Sequence, residues 1–198
     1  MTALLGPKIL IILGPTATGK SELAIRIAPR FDCEIISADS MQVYRGMDIG
    51  SAKVSATQRS LVPHHLIDIR EPEQPFSVAE FRKLAEEAIR AITGRGHLPL
   101  ICGGSGLYLN SLIAPYNFTA DSGADPQIRE QLSAEFAADG GAAMHTRLAA
   151  VDPEAASRIS VNDSRRLIRA LEVYQTTGRP ISELRLASQA PPWPPLII

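Results

Sequence analysis

The octapeptide Gly14-Pro15-Thr16-Ala17-Thr18-Gly19-Lys20-Ser21 matches G-x-x-x-x-G-K-[ST] at every fixed position. Its flanks narrow the architecture further. Lys8 to Leu13, just before it, is a short apolar, β-branched run that reads as a buried strand, and Glu22 to Ala28, just after it, reads as a helix. Strand, glycine turn and helix in that order are the setting of a phosphate-binding loop in a parallel α/β sheet. Glycines at 14 and 19 admit backbone torsions that a side chain would block. The loop N–H groups and the positive end of the helix then cradle an anionic phosphate. Lys20 adds a point charge, and the Ser21 hydroxyl suits the shell of a Mg²⁺ ion. The phosphate-binding set is therefore Gly14, Pro15, Thr16, Ala17, Thr18, Gly19, Lys20 and Ser21, with Ser21 the metal ligand.

The chain has 198 residues, enough for one domain with a smaller added segment, and 45% of them are hydrophobic, enough for a sizeable core. A net charge of −1 gives no overall basic signal, so nucleic acid would have to be held by a local patch. Cys33 and Cys102 stand far apart and in no metal spacing, which argues for a reducing compartment and for two small buried residues at strand ends. There is no signal-peptide pattern and no apolar run near the length of a membrane span. The expectation is a soluble, cytoplasmic protein and a monomer.

Phe31 to Ser37 reads as the second strand of a βαβ unit, after Pro29 closes the first helix. In such sheets ligands bind beyond the carboxyl ends of the strands. Asp39 stands just past this end, so it either faces the phosphate loop across a crevice or serves as a cap or turn residue. Thr57 to Leu61 suggests a short helix. His64 and His65 are adjacent, so on a strand they cannot both reach one metal, and they read as structural hydrogen-bonders. Ser77-Val78-Ala79-Glu80 is a capping box that opens an amphipathic helix, with Gly94 placed to close it. Leu98 to Cys102 reads as a third strand, running into the glycine turn Gly103-Gly104-Ser105-Gly106 and a helix from Leu107 to Ile113.

The character changes at Ala114-Pro115, where strand signals stop. Asp125-Pro126 opens a helix that runs to about Ala138. A second covers Met144 to Val151, a short turn starts at Asp152-Pro153, and Asn162-Asp163 caps a helix from Ser164 to Thr176. Arg165, Arg166 and Arg169 crowd the start of that last helix, against its macrodipole. They form either an anion site or a solvated basic face paired with Glu172. The expected division is a P-loop α/β core at 1–115, a helical segment at 116–190, and a stiff proline linker at 191–198 that leads into a returning core strand. The sheet is expected to continue in sequence beyond that strand.

The phosphate loop, ISADSMQVYRGMDIGSAK at 36–53, PHHLIDI at 63–69, FSVAEF at 76–81, LPLICGGSGLY at 98–108, DPQIR at 125–129 and NDSRRLIRALEVY at 162–174 together resemble the tRNA dimethylallyltransferase (tRNA isopentenyltransferase) family. The likeness spans nearly the whole chain, and the stretch from Asp39 is far more specific than the loop, which many ATP-binding and other nucleotide-binding proteins share. The resemblance implies a P-loop NTPase-like parallel sheet with an added helical segment. It implies transfer of a dimethylallyl group from dimethylallyl diphosphate to the exocyclic amine of an adenosine beside the tRNA anticodon, with Mg²⁺.

Residue by residue, it implies that Thr16 sits near the bridging oxygen and that Asp39 is the general base. It implies tRNA contacts at Asp39, Ser40, Met41, Gln42, Ser105, Arg129, Arg165, Arg166, Leu167, Ile168 and Arg169. Ser105 replaces the usual threonine and keeps its hydroxyl, while Arg165 replaces the usual glutamine. Family members also continue well past residue 198. The alternatives are a small-molecule or nucleoside phosphate kinase on the same loop and a non-catalytic nucleotide- or RNA-binding chain. A kinase wants an acid at the end of an apolar strand, whereas Leu98–Cys102 leads into Gly103.

Overall fold

The structure, a computed structural model, describes residues 8–113, 125–186 and 195–197. The chain divides into two compact units, 1–114 with 190–198, and 115–189. In the first unit the described strands are β1 (Ile9–Leu13), β2 (Cys33–Ser37), β3 (His64–His65), β4 (Leu98–Gly103) and β5 (Pro195–Ile197). They form one sheet in the order β3-β2-β4-β1-β5, and every pairing is parallel.

Burial on both faces explains why β1, β2 and β4 read as unbroken apolar runs rather than alternating ones. On one face Leu10, Ile12, Ile35 and Leu100 pack with Ala24 and Ile25 of helix α1 (Lys20–Ile27). On the other, Ile9, Ile11, Ile36 and Ile101 are buried. Helix α3 (Val78–Gly94) packs on β2 and β4 there through its buried stripe of Phe81, Ala85, Ile89 and Ile92. Helix α4 (Gly106–Ile113) lies against α3, with Tyr108 stacked on Phe81 at a centroid distance of 4.2 Å.

Local chemistry moves several boundaries from their expected places. Strand β2 starts at Cys33 because Asp32 turns the chain in the left-handed region (φ 53°). His64 and His65 are a short edge strand, so the run at Leu98 is the fourth strand in sequence rather than the third. The short helix α2 (Ala56–Leu61) has a complete capping box between Ser55 and Gln58. At α3 only half of the expected box forms. Ser77 Oγ accepts the Glu80 N–H at 3.1 Å, while the Glu80 carboxylate is taken by Arg70.

The second unit is helical: α5 (Pro126–Asp139), α6 (Gly141–Val151), α7 (Pro153–Arg158), α8 (Ser164–Thr177) and α9 (Ile181–Leu186). Asp125, Asp152 and Asp163 each cap the helix that follows, and Gly178 (φ 68°) ends α8. Leu132, Met144, Leu148, Leu167, Ala170 and Leu171 form its core. Helix α6 begins three residues before the expected Met144. Gly141 can lie there because a Cβ would come within 1.7 Å of the Val161 carbonyl oxygen, so only glycine admits this approach. The proline linker at 191–194 and the Ala114-Pro115 junction lie outside the described residues. Among the described residues no helix is long and apolar enough to cross a membrane.

Candidate functional site

The loop after β1 and the turn after β2 meet at the carboxyl edge of the sheet. Gly19 takes the left-handed conformation (φ 82°) that starts α1, and Lys20 is the first helical residue. Thr18 Oγ1 donates to the Pro15 carbonyl at 2.9 Å, and the Lys20 ammonium donates to that same carbonyl. The ammonium therefore lies folded over the loop. Thr16, Ala17, Thr18, Gly19, Lys20 and Ser21 line a cavity of about 230 Å³ that Asp39 and Gln42 also line.

The ends of β2 and β4 are bolted together. Ala38 N–H donates to Cys102 O at 2.8 Å, and Ser105 N–H donates to Ala38 O at 3.2 Å. Ser40 N–H donates to Ser105 Oγ at 2.9 Å. Gly103 makes this closeness feasible, since a Cβ there would stand 2.1 Å from the Ala38 carbonyl oxygen. Asp39 is fixed just beyond this junction. Its Oδ1 accepts the Met41 N–H at 2.9 Å, so it is a turn residue and a cavity-lining acid at once.

The expected base-holding residues divide. Ser40 and Met41 are exposed. Gln42 is buried and fully engaged: its Oε1 accepts from Ser37 Oγ at 3.2 Å, and its Nε2 donates to Ser51 O and Ala52 O at 3.4 and 3.3 Å. It shapes the cavity wall and has no amide group to spare. The loop behind it closes on Lys53, whose side chain is 1% exposed and meets Asp48 at 2.8 Å, Asp68 at 2.7 Å and Tyr44 O at 2.6 Å. Asp68, an acid after the short apolar pair Leu66-Ile67 that a kinase could have used, is consumed by Lys53 and Arg59. Burial pushes the Cys102 thiol on the cavity floor up to about 11, although Lys20 and Ser21 beside it pull it down.

In the second unit Arg129, Ser133, Arg165, Ile168 and Arg169 line a cavity of about 380 Å³. Arg129 and Arg169 both donate to Oε2 of Glu172 at 2.8 Å, a fully buried carboxylate. This pairing supplies part of the offset that the crowded arginines need. Arg166 is exposed and lies 3.4 Å from its own cap, Asp163. Leu167 is wholly buried in the unit's core, so its side chain fixes α8 instead of meeting a ligand.

Sequence reasoning passed over His64, Ser37 and Ile67, which share the first cavity. No local signal marked them: His64 stands opposite Ile35 only once β3 pairs with β2, and strand alternation then puts both on the α1 face.

A parallel sheet with a phosphate loop after β1, and an acid after β2 on the far side of β4, defines a P-loop α/β protein. The family model described as IPP transferase matches residues 42–198, and the one described as isopentenyl transferase matches residues 7–71. The chain belongs to the IPP transferase family.

It is 55% identical over 176 residues to a tRNA dimethylallyltransferase of Moorella thermoacetica, covering 86% of this chain and 54% of that protein. Among solved structures, a tRNA isopentenylpyrophosphate transferase of Staphylococcus epidermidis is 40% identical, with a TM-score of 0.58, over 98% of this chain and 63% of that one. A eukaryotic dimethylallyltransferase acting on tRNA is 28% identical, with a TM-score of 0.80, over 97% of this chain and 48% of that one. The chain thus spans about half the length of the curated relatives it matches.

Proposed function

We propose that the chain transfers a dimethylallyl group from dimethylallyl diphosphate to the exocyclic amine of an adenosine beside the anticodon of tRNA. The observation that carries this reading is the single cavity lined by both Lys20 and Asp39. The relatives named for this activity support it. The diphosphate lies on the loop N–H groups, with Lys20 over its oxygens and Thr16 at the bridging oxygen. The amine lone pair attacks the first allylic carbon as the carbon–oxygen bond breaks, and that electron pair leaves on the diphosphate. The charge grows where loop N–H groups and Lys20 already stand. Asp39 takes the proton that the amine loses. The base reaches the cavity only if it leaves its stack, and the arginine-lined cavity of the second unit suits RNA phosphates.

Mg²⁺ fits the donors present. Ser21 and Asp39 offer isolated hard oxygens in the cavity, and among the described residues no cluster of three or more His, Cys, Asp or Glu could cage a metal. A cation held through one hydroxyl, substrate oxygens and water is the usual arrangement for Mg²⁺. Bound there by Ser21, it would neutralise diphosphate charge.

The test is incubation with Mg²⁺, unmodified tRNA and radiolabelled dimethylallyl diphosphate, and in parallel with ATP and nucleoside acceptors. Label enters the tRNA, and Asp39→Ala abolishes this while diphosphate binding persists. Phosphorylation from ATP with no prenyl transfer would overturn the reading.

A further inference from the structure

The adjacent histidines part company in the sheet. β3 pairs with β2 in the register Ile35↔His64 and Ile36↔His65, so the two rings go to opposite faces. His65 Nε2 is 2.7 Å from the Glu34 carboxylate, inside an ion network with Arg95. His64 instead lines the cavity that holds Lys20 and Asp39. Its Nδ1 is 2.8 Å from the Val62 carbonyl. A carbonyl only accepts, so Nδ1 carries the hydrogen, and in the neutral ring Nε2 is left with a lone pair. Burial holds the ring below its ordinary titration range, with the charges of Arg59 and His65 adding to this. Among the described residues nothing donates to Nε2.

The surroundings decide what that lone pair suits. Ser37 donates to Gln42, and Gln42 donates to the Ser51 and Ala52 carbonyls, so these donors are spent. Ile35, Val54 and Ile67 supply apolar walls. An unprotonated Nε2 repels a phosphate oxygen, whose donors are Lys20 and the loop elsewhere in the same cavity, and a hydrocarbon would leave Nε2 unmatched. A flat, mostly apolar group carrying an N–H or O–H fits both features, and of the two proposed substrates only the nucleoside has one.

We propose that His64 is a substrate-contacting residue whose Nε2 accepts a hydrogen bond from the acceptor nucleoside, and so helps select it. This rests on the reading given under Proposed function. The experiment compares the full chain with His64→Phe, which keeps a ring and loses the acceptor, and His64→Gln, which returns an acceptor at similar reach. The probes are inorganic diphosphate and an anticodon stem-loop RNA carrying adenosine, 2′-deoxyadenosine or purine riboside at the target position.

His64→Phe weakens the adenosine RNA about tenfold, as expected for one lost hydrogen bond, and leaves diphosphate affinity within about twofold. His64→Gln recovers most of the loss, and one of the two altered RNAs binds wild type and His64→Phe equally. Equal RNA affinity in all three proteins, a parallel fall in diphosphate affinity, or no rescue by glutamine would overturn the proposal alone. A wild-type chain that binds diphosphate but no RNA would overturn the functional reading, and this proposal with it.

Discussion

Substituting alanine at Gly103 tests the junction on which the site is built. The added Cβ would stand 2.1 Å from the Ala38 carbonyl oxygen, 2.4 Å from its carbon and 2.8 Å from its Cα. All three are backbone atoms, so no side chain can swing aside. Relief requires β2 and β4 to part at their ends, where Ala38 N–H to Cys102 O and Ser105 N–H to Ala38 O are made. Overpacking costs about 1–3 kcal/mol, and losing one or two hydrogen bonds adds about 0.5–1.5 kcal/mol each. The sum is about 1.5–6 kcal/mol, which lowers a urea midpoint by about 1–3 M at a slope of about 2 kcal/mol/M.

The assay is urea unfolding followed by far-UV circular dichroism, with hydrogen exchange of the β2 and β4 amides to locate the damage. Gly94→Ala is the control. That residue ends α3 with nothing within 4 Å of its Cβ position, so alanine there is neutral or stabilises by up to about 1 kcal/mol. Because Asp39 follows Ala38, diphosphate and RNA binding should weaken in Gly103→Ala alone. A destabilisation under about 1 kcal/mol, with both ligands bound as before, would refute the claim that β2 and β4 touch this closely.

Lys20→Met should lower affinity for inorganic diphosphate by about ten- to a hundredfold, the range for one charge-assisted hydrogen bond, as read by calorimetry. The Arg95 hydrogen bonds hold the Glu34 carboxyl below its ordinary range against the effect of burial, with His65 helping. A folded value below the unfolded one means this stabilisation is complete above the unfolded carboxyl's range and lost as pH falls through the lower folded value. The stability gap between wild type and Glu34→Gln should therefore be flat above about pH 5 and shrink below about pH 4 in urea titrations. The Cys102 thiol, pushed up to about 11, should resist iodoacetamide at neutral pH until urea opens the first unit, as read by mass spectrometry.

The fold was legible wherever local chemistry and tertiary packing agree. β1, the phosphate loop and α1 are specified by glycine placement and apolar runs, and Asp125 and Asp163 marked helix starts that the structure uses as caps. His64–His65 was not read as a strand because two polar residues carry no strand signal alone. Their pairing depends on β2 as a template. Gly141 fell outside the helix expected from Met144 because its role is set by Val161, twenty residues on. Likewise the buried Lys53 draws Asp68 from 15 residues away and the buried Glu172 draws Arg129 from 43 residues away, which no local window sees. Asp39 was readable as a strand-end acid, whereas the full engagement of Gln42 required its backbone partners to be seen in place.

β5 lies beside β1, with Ile197 opposite Ile11, so a whole helical unit is spelled out in the chain between two neighbouring strands of one sheet. During synthesis at about 5–20 residues per second, β1 waits about 10–40 s for that neighbour to leave the ribosome. Throughout that interval one edge of β1 has no pairing partner, although the phosphate loop beside it has long been made. The nascent chain is then at its most vulnerable to strand-to-strand aggregation, and shielding by a chaperone would matter more in those seconds than at any later time.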